Sequence, residues 1–220
     1  YDDTLGNLLG SSAEPQAGNW FGIDIGSSAD SETSLSNCEF RYAGDHDYGS
    51  SYYFGAVTLK RPVYITRSRF FENATSGIQS QHADPTPFLI SECEFVGNGK
   101  YGVRAMNGSN PIIRGCSFDG NSIEGVSNAA ASVTIDARYN WWGSENGPAP
   151  YGSGNGINYH SYYDSDCDCY IIDQFYVNAN PWLGQSTNYG QSIPWVYYEA
   201  DPVNTANGNY AYKHTDLSIP

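Results

Sequence analysis

The strongest constraint on the fold is a short pattern that occurs four times: an aliphatic residue, any two residues, a small residue, any residue, and Phe. The pattern occupies residues 35–40, 65–70, 90–95 and 113–118. In the last three copies an Asn follows the Phe by three residues, and a Gly followed by an aliphatic residue begins seven residues after the Phe. The aliphatic residues of these copies, Ile65, Ile90 and Ile113, are 25 and 23 residues apart.

A period of about 22–30 residues that carries short alternating segments has few physical solutions. No stretch maintains a 3.6-residue apolar stripe, which argues against a helical solenoid. The Leu and Asn framework of a leucine-rich repeat is also missing from the sequence. We therefore predict an all-β fold, a right-handed parallel β-helix in which equivalent positions of successive coils stack about 4.8 Å apart.

This stacking predicts both the interior and the exterior of the coils. The aliphatic, small and Phe positions should form inward ladders, and the Gly should permit a tight bend before the next strand. The repeated Asn should hydrogen-bond from turn to turn; its positions are Asn73, Asn98 and Asn121. One outward row should alternate in charge between neighbouring coils; its members are Glu39, Arg69 and Glu94.

Composition narrows the possible partners. The chain has 10 Lys and Arg against 24 Asp and Glu, a formal net charge of -14. We expect neither nucleic acid nor an anionic membrane as a partner, because both would be repelled. No apolar run approaches the roughly 20 residues of a membrane span. The chain opens at Tyr1 without a charged and then apolar leader, so we expect a processed or excised piece of a longer polypeptide.

A more specific pattern lies towards the end of the repeats. Residues 140–143 (NWWG), 147–148 (GP) and 181–183 (PWL) resemble the closing segment of pectate-lyase-like β-helix domains in bacterial and archaeal surface proteins. The resemblance implies a secreted or cell-surface domain with a parallel β-helix over residues 18–184, preceded by a lead-in over residues 1–17. We expect Trp141 and Trp142 to cap the open end of the apolar core with large apolar area.

The Tyr-rich tail, residues 185–220, has a different character. Its last part, residues 201–220, resembles the leader segment of RHS-repeat shells in bacterial surface proteins. The tail contains two strand-prone segments, formed by Val196, Tyr197 and Tyr198 and by Tyr210, Ala211 and Tyr212. If such a segment adds to the sheet of a neighbouring copy, the contact is head-to-tail and propagates into a filament.

Five cysteines raise the question of disulfides. Cys93 and Cys116 should stack on adjacent coils, where a disulfide and two buried free thiols are both compatible with the spacing. Cys167 and Cys169 are separated by one residue, which is tight for a mutual bridge, so a bond to another cysteine or to another subunit is the alternative. The odd count, completed by Cys38, leaves at least one thiol free or intermolecular.

Three carboxylates alternate along residues 164–168, at Asp164, Asp166 and Asp168. This spacing is typical of the start of a calcium loop, although the Gly and the closing Glu of such a loop are missing. A Ca²⁺ site and a solvated acidic loop are the two interpretations, and Ca²⁺ is the only cofactor that the sequence suggests. Two glycosylation sequons, at Asn73 and Asn107, are predicted to lie at exposed turns.

Few residues in the sequence support an enzymatic function. A polysaccharide lyase would need a basic residue on the long parallel face; the candidates are Lys60, Arg61, Arg67, Arg69 and Arg104. A second outward row is mixed rather than acidic, and contains Asp24, Gln79, Arg104 and Ser127. No ladder supplies the facing carboxylates of a glycoside hydrolase. The histidines, His46, His82, His160 and His214, fall in predicted loops or tails. We therefore expect a protein that is not an enzyme, with a polysaccharide lyase or a glycoside hydrolase as the remaining alternative.

Two non-enzymatic functions remain. The first is an extracellular structural subunit that assembles into a homo-oligomer or filament through its terminal strands. The second is a carbohydrate-binding or adhesion module, for which the insertion at residues 44–53 predicts a projecting loop. Its tyrosines, Tyr48, Tyr52 and Tyr53, would stack on a polysaccharide.

Overall fold

A computed structural model describes residues 15–44, 54–130 and 132–185. Over these residues the chain forms strands and turns and no helix. In chain order the strands are β1 (Ile23–Ile25), β2 (Ser34–Ser36), β3 (Glu39–Arg41), β4 (Val57–Leu59), β5 (Tyr64–Thr66), β6 (Arg69–Phe71), β7 (Ile78–Ser80), β8 (Phe88–Ser91), β9 (Glu94–Val96), β10 (Tyr101–Ala105), β11 (Pro111–Arg114), β12 (Ser117–Asp119), β13 (Glu124–Asn128), β14 (Ile135–Asp136), β15 (Tyr159–Asp164), β16 (Cys169–Phe175) and β17 (Val177–Asn178).

Fifteen of these strands form three parallel sheets. The sheet orders are β1-β4-β7-β10-β13, β2-β5-β8-β11-β14-β17 and β3-β6-β9-β12. Each of the first four coils contributes one strand to each sheet before the chain rises to the next coil, which is the path of a parallel β-helix. The predicted fold is therefore confirmed.

The register confirms the inward ladders. Leu35 pairs with Ile65, Ile65 with Ile90, and Ile90 with Ile113. The Phe positions form a column of stacked rings, Phe40, Phe70, Phe95 and Phe118, with successive centroids 5.1, 4.9 and 5.0 Å apart. Such contacts add to the apolar area that the core removes from water.

Trp142 extends this column by one member. Its ring lies 4.8 Å from that of Phe118 and is fully buried. Trp141 is only partly buried, so the expectation that both tryptophans cap the core is wrong for Trp141. The reason is register: Trp141 bridges to Ser117, and successive residues of a strand face opposite sides.

The repeated Gly serves packing rather than the bend that we predicted. Gly77, Gly102 and Gly125 have no positive φ. A Cβ atom on Gly102 would lie 2.7 Å from Cδ1 of Phe118 and 2.6 Å from the carbonyl oxygen of Gly125. On Gly77 it would lie 2.8 Å from Cδ1 of Phe95. These positions are Gly because the aromatic column leaves no room for a side chain.

The bends lie elsewhere, in two stacks of left-handed residues that flank the third sheet. The stack before it contains Asn37, Arg67, Glu92, Gly115 and Tyr139, and the stack after it contains Tyr42, Glu72, Gly97, Gly120 and Gly143, with φ between 47° and 80°. A non-Gly residue in this region costs about 1–2 kcal/mol. The repetition of the same bend in every coil indicates that the stacked coils impose it.

The Asn ladder is confirmed and is one member longer than predicted. The side-chain amide of Asn73 donates to Asn98 Oδ1 at 2.8 Å, Asn98 to Asn121 at 2.7 Å, and Asn121 to Asn155 at 2.6 Å. Each of the first three amides also donates to the carbonyl oxygen of a Phe one coil away. The ladder satisfies backbone groups that the bends leave unpaired.

The last coil contains an insertion that the sequence analysis missed. β15 and β16 pair only with each other, as an antiparallel hairpin. The hairpin leaves the coil after Asn158 and returns at Tyr176, next to β17. His160 lies in β15, so its assignment to a loop is wrong. The turn at 165–168 closes the hairpin.

Candidate functional site

The two ends of the β-helix differ. In the last coil Ile157, Val177 and Ala179 are at most 2% exposed. In the first coil Leu35 and Cys38 are only partly buried, although their counterparts one to three coils further on are fully enclosed. The apolar core is therefore less covered at the first coil than at the last.

The first coil also has unpaired strand edges. Within the part of the chain that the structure describes, β1, β2 and β3 each pair with a strand on one side only, apart from a bridge between Trp20 and Ala43 beyond β3. We name the unpaired sides of these three strands the open edge. In β1 the N–H of Ile23 donates to Ala56 and the carbonyl of Ile25 accepts from Lys60. The backbone groups of the intervening residue, Asp24, therefore face the open edge.

An apolar surface adjoins the open edge. Trp20, Phe21, Ile23 and Phe54 are 39%, 58%, 40% and 36% exposed. Three of them, Phe21, Ile23 and Phe54, line a shallow cavity of about 230 Å³ together with Asp24 and other residues. Contiguous exposed apolar side chains of this kind mark surfaces that another molecule covers.

The alternating charge row is confirmed. Arg69 donates through NH1 to Glu39 and through Nε to Glu94, both at 3.0 Å. Its guanidinium also lies 4.3 Å from the ring centroid of Phe71. Arg69 is thereby held between two carboxylates, as expected.

The other basic candidates are also engaged. Lys60 pairs with Asp24 at 2.5 Å, and Arg61 donates to the carbonyl oxygen of Ala29. Arg67 donates to Ser36 Oγ at 3.4 Å. The guanidinium of Arg104 lies 5.1 Å from the ring centroid of Tyr101. Lys60, Arg61, Arg67 and Arg69 belong to the coil of β4, β5 and β6, whereas Arg104 lies on β10, two coils further on.

The mixed row has the predicted register with one additional member, Thr58, but it is not the exposed row that we predicted, since Thr58, Gln79 and Ser127 are buried. Asp24 pairs with Thr58, Thr58 with Gln79, Gln79 with Arg104, and Arg104 with Ser127. The row holds one carboxylate and one guanidinium that are separated by two coils. It does not provide the facing carboxylates of a glycosidase.

Asp136 is a carboxylate whose pKa is strongly shifted by its neighbours. Burial raises its pKa, but hydrogen bonds from Arg138 and Arg114 and the charges of both arginines lower the pKa to about 2. Arg138 Nε donates to it at 2.8 Å, and Arg114 NH2 donates to its other oxygen. An ionised, doubly paired carboxylate of this kind ties β11 to β14 and is unsuited to general acid catalysis.

Two histidines lie within the described residues. His82 is 6% exposed, donates from Nδ1 to the carbonyl oxygen of Asp84, and packs on Phe88; burial lowers its pKa. His160 pairs with Asp173 on the exposed hairpin at 2.6 Å. His46 and His214 lie outside the described residues.

The calcium interpretation of Asp164, Asp166 and Asp168 stays a prediction. These residues lie in the turn of the hairpin, where Asp164 accepts the backbone N–H of Asp166 and Asp168 accepts the hydroxyl of Tyr163. Over residues 15–44, 54–130 and 132–185 no group of three or more His, Cys, Asp or Glu is arranged to hold a metal ion. The alternating aspartates lie at the end of a hairpin.

The described residues contain one disulfide and three free cysteines. Cys167 and Cys169 form a disulfide with each other, which corrects the expectation that their spacing is too tight. Asp168 between them has a left-handed backbone, φ 53°, and their Cα atoms are 5.2 Å apart, which is within the range of a disulfide. Cys93 and Cys116 are free, buried thiols, and Cys38 is free and partly buried.

One sequon is misplaced by the sequence analysis. Asn107 is exposed, as expected, but Asn73 is 1% exposed and belongs to the Asn ladder. The remaining site predictions lie outside the described residues. They concern Tyr48, Tyr52 and Tyr53 of the insertion and Val196, Tyr197, Tyr198, Tyr210 and Tyr212 of the tail.

The fold and the ladders define a solenoid whose class can be compared with known families. A family model described as "right handed beta helix region" matches residues 17–141, more than half of the chain. The chain belongs to this family of right-handed parallel β-helix domains. Comparisons with curated proteins and with solved structures found no match. The pectate-lyase-like and RHS resemblances and the boundaries at residues 17 and 184 stay predictions. No helix among the described residues is long and apolar enough to cross a membrane.

Proposed function

We propose that this β-helix is a non-catalytic structural subunit of an extracellular assembly, in which the C-terminal segment of one copy adds as a strand to the open edge of the next. The observation that carries the proposal is the open edge itself. Among residues 15–44, 54–130 and 132–185 the outer sides of β1, β2 and β3 have no strand partner beyond the Trp20–Ala43 bridge, and N–H and C=O groups at such an edge form a template for strand addition.

The adjoining apolar surface favours the same interpretation. Trp20, Phe21 and Phe54 are exposed beside β1, so a strand that pairs there could also bury apolar side chains. The tail offers suitable partners in Val196, Tyr197 and Tyr198, because β-branched and aromatic residues suit a half-buried strand. A contact between the tail of one copy and the first coil of another is heterologous and repeats without closing.

The charges of the described faces support a non-catalytic role. Lys60 and Arg69 are neutralised by carboxylates on neighbouring coils. Such pairs contribute little stability each, but they help to set the register of the stack.

Analytical ultracentrifugation and negative-stain electron microscopy of the full chain test the proposal. Ser34 is exposed and begins β2. The backbone N–H of Asn37 points towards β5 and donates to the carbonyl oxygen of Thr66. Because the direction of the N–H groups alternates along a strand, the N–H of Ser34 faces the open edge. Ser34→Pro removes that N–H at a strand position where Pro is tolerated, and Ser34→Ala is the matched control.

We expect wild type and Ser34→Ala to form elongated multimers whose length grows with concentration, and Ser34→Pro to form fewer and shorter ones. A monomer at every concentration would rule the proposal out, and equal assembly of Ser34→Pro would rule out strand addition at β2. Circular dichroism of each variant ensures that a loss of assembly is not a loss of folding.

A further inference from the structure

The hairpin of β15 and β16, residues 159–175, exposes four tyrosine side chains to solvent. We name it the aromatic hairpin. Tyr159, Tyr162, Tyr163 and Tyr170 are 41%, 46%, 53% and 74% exposed. The hairpin is not required to continue the coil, because Asn158 and Tyr176 at its two ends already pair with the coil below. Asn158 exchanges hydrogen bonds with Asn128, whose amide also donates to the carbonyl of Tyr176.

The arrangement of the tyrosines is fixed rather than loose. Tyr163 and Tyr170 are cross-strand partners, and their rings meet edge to face with centroids 5.5 Å apart. The hydroxyl of Tyr163 donates to Asp168 in the turn, and the disulfide of Cys167 and Cys169 closes that turn. Tyr163 and Tyr170 therefore present a ring face and a ring edge to solvent side by side. Because their side chains are already held in place, they lose little conformational entropy on binding.

The charge around the pair restricts the ligand. Residues 139–185 contain no Lys or Arg and five carboxylates: Glu145, Asp164, Asp166, Asp168 and Asp173. Polyanions such as nucleic acids and polyuronates are repelled by such a surface. Carboxylates and phenol groups are instead good acceptors and donors for hydroxyl groups, and rigid tyrosines give large amphipathic contact area at low entropic cost.

From these observations we propose that the aromatic hairpin binds uncharged polysaccharide, with the rings of Tyr163 and Tyr170 against the sugar faces and the neighbouring carboxylates accepting sugar hydroxyls. A sugar combines an apolar C–H face with a rim of hydroxyls, which matches an aromatic pair set among hydrogen-bonding groups. A protein partner would be expected to prefer a less polar and more continuous patch.

Affinity electrophoresis of the full chain tests the proposal. Native gels contain hydroxyethyl cellulose, soluble starch, galactomannan or soluble glycol chitin as uncharged polymers, and polygalacturonate as the charged arm. The variants are Tyr170→Ala and Tyr170→Trp, with Tyr64→Ala as the matched control, because Tyr64 is 52% exposed on β5, outside the hairpin.

We expect at least one uncharged polymer to retard the chain and polygalacturonate to have no effect. Tyr170→Ala should weaken retardation by about tenfold or more, as for a central aromatic contact. Tyr64→Ala and Tyr170→Trp should retain it.

Four results would overturn the proposal: no retardation by any uncharged polymer, retardation by polygalacturonate alone, equal binding of Tyr170→Ala, or equal losses in Tyr64→Ala and Tyr170→Ala. A change in sedimentation of Tyr170→Ala without any polysaccharide binding would instead assign the hairpin to a protein contact. The test is separate from assembly at the open edge, since Ser34 lies on β2 and outside the hairpin.

Discussion

Replacing Gly102 by Ala tests the packing of the aromatic column against the first sheet. The new Cβ would lie 2.7 Å from Cδ1 of Phe118 and 2.6 Å from the carbonyl oxygen of Gly125. The ring sits in a stack with neighbours on both sides, 5.0 and 4.8 Å away, and the carbonyl belongs to the paired strand β13. Neither neighbour can move without disturbing a coil, so overpacking should cost about 2–3 kcal/mol.

A matched substitution exists at Gly26, just after β1. A Cβ there would meet nothing within 4 Å, and its backbone is outside the positive-φ region. Gly26→Ala should therefore stabilise the fold by about 0.4–1 kcal/mol, because Ala loses less chain entropy on folding. The two substitutions are chemically identical and should have opposite signs.

Thermal denaturation followed by circular dichroism separates the two outcomes. For a chain of this size 1 kcal/mol corresponds to about 2–4 °C in Tm, so Gly102→Ala should lower Tm by about 4–12 °C and Gly26→Ala should raise it by about 1–4 °C. Combining Gly102→Ala with Phe118→Leu should lose less stability than the sum of the single changes, since a smaller side chain relieves part of the clash. Equal effects of the two Gly substitutions would refute the packing argument.

Three further predictions follow from buried polar groups. Asn98→Ala breaks the Asn ladder at a position that is fully buried and should lower the free energy of unfolding by about 2–4 kcal/mol in urea titration, whereas Asn146→Ala, at an exposed turn outside the positive-φ residues, should cost less than about 1 kcal/mol. The pKa of Asp136 falls from 3.8 to about 2 on folding, so the ionised carboxylate contributes about 1–2 kcal/mol to the free energy of unfolding after allowance for partial exposure. This contribution is complete above about pH 4 and is lost as the pH falls through 2. Asp136→Asn should flatten the dependence of stability on pH in that window, and an unchanged profile would contradict the assignment. A thiol reagent should modify Cys38 in the folded protein well before Cys93, which is buried and whose thiol pKa is raised by that burial; equal labelling rates by mass spectrometry would contradict the described core.

The ladders could be predicted from the sequence because they repeat a side chain at a fixed interval. Ile65, Ile90 and Phe95 carry the pattern since each must fill the same space in its coil, and the register follows from one alignment of the repeats. The Asn positions could be predicted for a similar reason, because a buried amide must bond to its counterpart above and below. Asn155 escaped this prediction because its coil contains no copy of the repeat.

The bends could not be predicted, because most of their left-handed residues are not Gly. Arg67, Glu92 and Tyr139 adopt positive φ where propensity alone favours Gly or Asn. Tertiary stacking overrides the local preference there. The regular spacing of Gly77, Gly102 and Gly125 led to a predicted bend at the wrong position. Gly is also required wherever another atom occupies the place of a Cβ.

The aromatic hairpin was hidden for a different reason. Both of its faces are largely exposed, so it lacks the apolar–polar alternation that normally reveals a strand. Its turn carries alternating aspartates, which drew attention to metal binding. The exposed tyrosines and the absence of Lys and Arg over residues 139–185 were the available signals of a binding surface.

The central claim is that residues about two dozen apart lie directly above one another around a common apolar axis. Nuclear Overhauser spectroscopy on protein with selectively labelled phenylalanine measures this in solution. The account predicts ring-to-ring signals for the pairs 40–70, 70–95 and 95–118, whose centroids are 4.9–5.1 Å apart, and none between residues 40 and 118. Absence of the three sequential signals from a folded sample would contradict it.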